Sequence, residues 1–283
     1  MIGTVSHYRL VGPLGVGGMG VVYEAYDSRT GRPVALKFVD VDRLDDRDGM
    51  RRLKREAEMM AMLEHPHICT IHEVGEHEGS TYIAMERLQG MNLKLYIPRH
   101  PLSTAAIVRI TLQITAALEA AHRVGIVHRD VKPGNVFVCR SGVVKVFDFG
   151  LARRFADADQ ETAGGSTMPG RPIGTANYMA PERLLQMAVD PRSDLFSLGV
   201  VIYEMATERL PFAASSQAET AFNVMVSDPT PLRDLSPRPR ALERIVQRLL
   251  SKEPCMRYQS AAELRSALLN VPVGRKARHE ALC

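Results

Sequence analysis

Between positions 128 and 150 the chain reads His128-Arg129-Asp130-Val131-Lys132-Pro133-Gly134-Asn135 and then Asp148-Phe149-Gly150. Asp130, Lys132 and Asn135 fall within one tight loop that Pro133 and Gly134 keep out of a helix. A carboxylate, a cation and hard oxygen ligands gathered in this way suit phosphoryl transfer. That reaction needs positioning and charge stabilisation more than covalent chemistry. In it Asp130 would stand near the attacking hydroxyl and Lys132 on the transferred phosphate, with Asn135 and Asp148 as oxygen ligands for Mg²⁺. The competing reading is a turn with incidental charges, and the number of positions that match together weighs against it.

Near the N-terminus, residues 15–22 run Gly15-Val16-Gly17-Gly18-Met19-Gly20-Val21-Val22, a GxGxxGxV pattern. Glycines let a backbone fold tightly over phosphates and aim its N–H groups at the oxygens. Alone, the pattern is equally a glycine turn in a hairpin. A dinucleotide site would need these glycines to open a helix, with an acidic residue about 20 positions on. Here they lie between two strand patterns. Lys37 ends the run Val34-Ala35-Leu36-Lys37. A strand lysine is ordinarily a solvated edge charge. Glu56, beside the apolar stripe of the next amphipathic segment, is placed to orient it toward nucleotide phosphates.

The elements that must carry these groups are legible as a change of period. Residues 8–14, 21–26, 33–39, 70–75 and 81–86 read as five strands, and residues 47–64 as one amphipathic helix. Beyond 86 the pattern is mainly helical. Ser103 caps a helix that Gly125 stops, and residues 136–139 and 143–147 form short strands. Residues 193–207 are apolar nearly all round and read as a buried central helix, while 242–250 and 261–269 are amphipathic. Residues 151–172 are polar and long for a structureless loop, as functional switches often are.

Composition narrows the class. The chain has 283 residues, 45% hydrophobic and 24% charged, with 21 Gly and 17 Pro, which excludes a fibre or a disordered tail. A net charge of +4 suits anionic ligands without arguing for nucleic acid. Four scattered cysteines without a CxxC pair read as thiols in a reducing compartment, so a cytoplasmic location is expected. No apolar run approaches the roughly 18 residues of a membrane span. His65, His67, His72 and His77 lack the spacing of a zinc site.

With these residues in order, the chain resembles the protein kinases, and among them the eukaryotic-like Ser/Thr kinases of bacteria, over about residues 8–269. The resemblance implies an α+β, two-lobed protein kinase fold: a five-stranded antiparallel N-lobe (8–86) with one main helix, a hinge (86–90) and a mainly helical C-lobe (91–270), then a short basic tail (271–283). It implies ATP and Mg²⁺ in the cleft, with Mn²⁺ able to substitute, and Lys37, Glu56, Asp130, Lys132, Asn135 and Asp148 as catalytic residues. Leu14, Gly15, Gly17, Gly18, Gly20, Val22, Ala35 and Phe137 would surround the nucleotide, with Met85 as gatekeeper and Glu86–Leu88 as the hinge. Phe137 is bulkier than the Leu or Met usual there. Met60, Ile71, His128 and Phe149 would stack as a spine. Gly174-Thr175 and Ala180-Pro181-Glu182 look like the platform for a substrate peptide, and Thr175 with Lys132 favours Ser/Thr acceptors. Asp194 looks like the anchor of the catalytic loop, and Arg257 like the partner of Glu182.

The implied function is transfer of the ATP γ-phosphoryl group to Ser or Thr of proteins. Non-catalytic scaffolds of this family would lack Lys37, Asp130 or Asp148, and small-molecule phosphotransferases would lack the long loop and Ala180-Pro181-Glu182. Partners would be protein substrates and, transiently, a second copy for trans-autophosphorylation, without nucleic acid or a membrane span. Arg129 beside Asp130 needs an anion, which a phosphorylated residue of the long loop would supply. Thr167 is the first candidate, with Ser166 and Thr162 as alternatives and Arg153 as a second cation. Thr167→Ala combined with Ser166→Ala should therefore lower phosphotransfer. Unchanged activity of the double variant would remove this assignment.

Overall fold

The structure, a computed structural model, describes residues 3–17, 20–39, 63–149 and 176–273. They divide into two compact units, the first holding the described residues up to Gln89 and the second those from Gly90 onward. Residues 47–62 of the expected helix and the loop at 151–172 lie outside the described residues, while 63 and 64 are described and are not helical. Gly18, Glu56, Met60, Gly150, Arg153, Thr162, Ser166, Thr167, Gly174 and Thr175 also lie outside them.

In the first unit the strands are β1 (Gly3–Val5), β2 (Tyr8–Gly17), β3 (Gly20–Asp27), β4 (Pro33–Val39), β5 (Ile71–His77) and β6 (Ser80–Glu86). They pair antiparallel in the order β1-β2-β3-β4-β6-β5. The five expected strands are thus six among the described residues. The added β1 is only three residues long, too short for a periodic signal, and exists through its pairing with β2.

Alternation along the strands gives the sheet two distinct faces. Tyr8, Leu10, Ala25, Val34, Leu36, Tyr82 and Ala84 pack together on one. The other carries Val22 and Glu24 of β3, Ala35 and Lys37 of β4, and Ile83 and Met85 of β6, as the strand register requires. The sheet curls around its apolar face. Tyr8 and Tyr82 both donate their hydroxyls to Glu73 of β5, at 3.0 Å each, although β2 and β5 lie near opposite edges.

The second unit opens with β7 (Gly90–Asn92), which pairs with β8 (Val136–Cys139), itself paired with β9 (Val144–Val146). Gly90 has φ +150°, and a Cβ there would collide with the Val138 carbonyl oxygen, so this close strand approach needs glycine. Between the strands run α1 (Leu93–Tyr96) and α2 (Thr104–Arg123). Ser103 caps α2 by accepting the Ala106 N–H at 3.2 Å, and Gly125 with φ +78° follows its end. Against the expectation of no membrane-length apolar run, α2 is long and apolar enough to span by length and composition. Arg109 and Glu119 mask this in the sequence. In the structure α2 is a core helix, with Ile107, Ile110, Ile114, Leu118 and Ala121 fully or nearly fully buried.

The remaining helices are α3 (Pro181–Leu184), α4 (Pro191–Thr207), α5 (Gln217–Val226), α6 (Leu232–Leu235), α7 (Arg240–Leu249) and α8 (Ala261–Leu269). Central helix α4 is buried nearly all round and begins two residues before its apolar pattern, with Asp190 as cap and Pro191 as first residue. Sequence periodicity does not reveal α5, which starts where Ser216 accepts the Glu219 N–H. Its C-terminal carbonyl of Val224 receives the Lys252 ammonium at 2.8 Å, which also lies 4.0 Å from the centre of the Phe212 ring. Burial pushes the Lys252 amine down to about 8.

Helix α7 crosses α4 at Gly199, where an added Cβ would sit 2.7 Å from Leu249 Cβ and 3.1 Å from Leu250 Cδ2. Gly199→Ala should therefore destabilise the protein by about 1–3 kcal/mol through overpacking, read as a lowered urea midpoint with unchanged m-value.

Candidate active site

The described glycines of the pattern lie where β2 meets β3, with Gly15 paired to Val22 and Gly17 to Gly20. Among the described residues a Cβ on Gly15 would meet nothing within 4 Å, so none of them demands glycine there. Val22 pairs with Lys37, which pairs with Ile83, and Ala35 pairs with Met85. Val22, Ala35, Lys37 and Met85 thus share the face of the sheet opposite its apolar cluster. Leu14 is exposed on β2, and Glu86 and Leu88 follow at the end of β6. Glu56, the expected carboxylate for Lys37, lies outside the described residues.

In the second unit the loop around Asp130 is built on one buried carboxylate. Asp194, in the first turn of α4 and 1% exposed, accepts the His128 N–H at 2.8 Å and the Arg129 N–H at 2.7 Å. His122, from the last turn of α2, places Nε2 2.8 Å from the same carboxylate. These contacts hold Arg129 at φ +65°, a left-handed conformation that costs a non-glycine residue on the order of 1–3 kcal/mol. The Arg129 carbonyl is gripped from the other side by the Arg183 guanidinium.

His128 is fully buried. Its Nδ1 accepts the Asp130 N–H at 3.2 Å, which leaves the proton on Nε2 to donate to the Phe147 carbonyl, also at 3.2 Å. Burial pushes this imidazole below the usual histidine range, so it is neutral. Its ring lies 4.4 Å from that of Phe149. The imidazole therefore links the Asp130 loop to the Asp148-Phe149 segment through one tautomer.

The loop is not wholly irregular, because residues Pro133–Asn135 form one 3₁₀ turn. That turn brings Asn135 back over Asp130, with Nδ2 donating to the Asp130 carbonyl at 2.9 Å and to Oδ2 at 3.0 Å. Lys132 Nζ lies 2.7 Å from the same Oδ2. Asp130 is 7% exposed, so its carboxylate is held in place rather than solvated. Phe147 N–H donates to the Asn135 carbonyl, which ties the 3₁₀ turn to the approach to Asp148, itself at φ +60°. Phe137, on β8, is half-buried with Cys139 on the face opposite Val136 and Val138.

Glu182 and Arg257 form a buried, two-pronged ion pair at 2.7 and 2.8 Å, with Ser193 donating to Glu182 at 2.5 Å. Arg257 also donates to the carbonyls of Ser251 and Lys252, each at 2.8 Å. Burial alone would raise the Glu182 carboxyl, but the bonds from Arg257 and Ser193 outweigh it and hold the group below the usual carboxylate range.

The structure thus brings Asp130, Lys132 and Asn135 together and bonds Asp194 to their loop. Sequence reasoning missed His122, Arg183 and the bond from the Tyr178 hydroxyl to Glu204 at 2.6 Å. Glu204 was visible as the one acidic break in the apolar run of α4, and burial raises its carboxyl above the usual range. Nothing in the spacing of His122 or Arg183 marks them, since their partners are far away in sequence.

The family model for the protein kinase domain matches residues 8–268. A probable serine/threonine-protein kinase of Streptomyces coelicolor is 39% identical over 282 residues, which cover 96% of this chain and 41% of that protein. The chain spans between 38% and 62% of the lengths of curated relatives of this kind. The crystal structure of the Mycobacterium tuberculosis PknI kinase domain superposes with a TM-score of 0.74 at 27% identity, over 94% of this chain and 96% of that one. A structure of Rad53 1-466 in complex with AMP-PNP does so with a TM-score of 0.76 at 26% identity, over 92% of this chain and 64% of that one.

Removing one member of the Glu182–Arg257 pair would strand a buried charge. Glu182→Gln should lower stability at pH 7 by about 3–5 kcal/mol in urea unfolding. Because the folded carboxyl titrates lower than the unfolded one, the pair's contribution is present above the ordinary carboxylate range. It is lost as pH falls through the depressed value, so wild type and variant should converge in acid.

Proposed function

This chain belongs to the protein kinase family, with bacterial serine/threonine kinases among its relatives, and from that premise we propose that it transfers the γ-phosphoryl group of ATP to serine and threonine hydroxyls of proteins. The observation that carries the reading is the Asp130 carboxylate, held by Asn135 at 3.0 Å and Lys132 at 2.7 Å in a loop pinned to Asp194.

In this reading Asp130 orients the acceptor hydroxyl and accepts its proton as the oxygen attacks the γ-phosphorus. Lys132, already beside that carboxylate, supplies positive charge to the phosphoryl oxygens. Lys37 serves the other phosphates, with Glu56 as its carboxylate, and Val22, Ala35 and Met85 offer the adenine an apolar sheet face ending at Glu86 and Leu88. Thr175 and Lys132 together favour Ser/Thr acceptors.

The donor set fits Mg²⁺. Asn135 commits its Nδ2 to Asp130, which leaves the carbonyl Oδ1 as the side-chain atom for another partner. With the Asp148 carboxylate this makes a pair of hard oxygen ligands, the chemistry that Mg²⁺ or Mn²⁺ takes. When bound, the ion offsets the charge of the phosphate oxygens. Arg129 is the cation for phosphorylated Thr167, with Ser166 and Thr162 as alternatives. A second copy of the chain, transiently associated, is the natural agent of that modification.

Asp130→Asn tests the reading. Transfer of labelled phosphate to a basic protein acceptor should fall by about 10²–10⁴-fold, the usual worth of a general base, while ATP still binds. Phosphotransfer at the wild-type rate would overturn the assignment.

A further inference from the structure

The segment that leaves β6 is tied on both flanks. Toward β5, the Glu86 N–H donates to the Thr70 carbonyl and the Thr70 N–H donates back to Glu86 Oε1, each at 2.9 Å. Toward β3, Arg87 reaches Glu24, with Nε 2.8 Å from Oε1. That contact is an ion pair rather than an aligned hydrogen bond, since Nε lacks a hydrogen-bond partner in the strict sense. The side chains are 27% and 23% exposed, so neither charge is freely solvated.

Register locates this pair. Glu24 pairs with Ala35 and Ala35 with Met85, so these three side chains lie in one row on one face. The adjacent row on the same face is Val22, Lys37 and Ile83. The Arg87 side chain thus returns from the end of β6 to β3, to the row that holds Ala35 and Met85. A hydrophobic or uncharged residue at position 24 or 87 would remove this tie to β3.

We propose that the Arg87–Glu24 ion pair is a clamp that holds the backbone after Met85 in the conformation that receives the nucleotide base, making Arg87 and Glu24 positioning residues for ATP binding. The clamp rests on the nucleotide-binding reading above. Its effect is on affinity for the nucleotide, because the groups that act on the phosphoryl are elsewhere in the chain. A backbone fixed before binding loses less conformational freedom when the ligand arrives, and that saving appears in Kd.

The test uses the full chain with Arg87→Ala, Glu24→Ala, the double alanine variant, and the charge swap Arg87→Glu with Glu24→Arg. Calorimetric titration with AMP-PNP and steady-state kinetics with ATP are the readouts. Each single variant should raise Kd and KM for nucleotide about two- to fivefold, the range for an ion pair of this exposure, with kcat retained. The double variant should be no weaker than the weaker single one, because the two residues act as one unit. The charge swap should recover most of the affinity, which a general loss of folding would not do. Unshifted Kd in the single variants, additive losses in the double, a swap that stays weak, or a fall in kcat at constant Kd would each overturn the clamp. If wild type itself failed to bind AMP-PNP, the nucleotide reading would fall, whereas wild-type binding with unshifted variants removes the clamp alone.

Discussion

A buried carboxylate on an apolar helix is the constraint on which the second unit depends. Asp194 lies within a helix whose neighbours Leu195, Phe196 and Leu198 are fully buried, where an unpaired charge would cost several kcal/mol. It is tolerated because two backbone N–H groups and an imidazole converge on it. The same bonds give the His128 and Arg129 amides partners they could not find in a strand or helix. Satisfying the carboxylate and shaping the loop are one event. The strained φ of Arg129 follows, since its N–H is committed to Asp194 and its carbonyl to Arg183. Asp130 then emerges at a fixed point, where Asn135 and Lys132 close on it.

The first unit solves a different problem with the same economy of groups. A six-stranded sheet needs one buried face, and this one buries its apolar side chains by curling on itself, fastened by two tyrosine hydroxyls on Glu73. The opposite face carries Val22, Ala35, Lys37 and Met85, in two adjacent rows. Strand alternation separates the two faces, so the residues that hold the sheet together are not the ones proposed to meet the nucleotide.

Much of this was legible in the chain itself. The strand 33–39 and the helix 261–269 coincide with β4 and α8 because each is bounded by strong turn or cap residues and keeps one period throughout. The cluster of Asp130, Lys132 and Asn135 could be found because its members are neighbours in sequence. The anchoring role of Asp194 and the pairing of Arg257 with Glu182 were carried by family resemblance, since spacing says nothing about partners 65 and 75 residues apart. Helix α5 and strand β1 escaped for local reasons: one depends on a Ser216 cap in a serine-rich stretch, the other on a three-residue pairing. His122, Arg183 and Tyr178 act only through tertiary contacts, so their types alone carried no signal.

The central claim is that the Asp194 carboxylate positions the loop for phosphotransfer without itself binding nucleotide. The most direct test is kcat of Asp194→Asn at saturating ATP, beside its Kd for AMP-PNP. An amide in place of the carboxylate turns a donor toward backbone N–H groups that need an acceptor. The account predicts a loss of about 10²-fold in kcat, the scale of an ångström-sized misplacement, with nucleotide affinity preserved. A variant that keeps the wild-type kcat would contradict it.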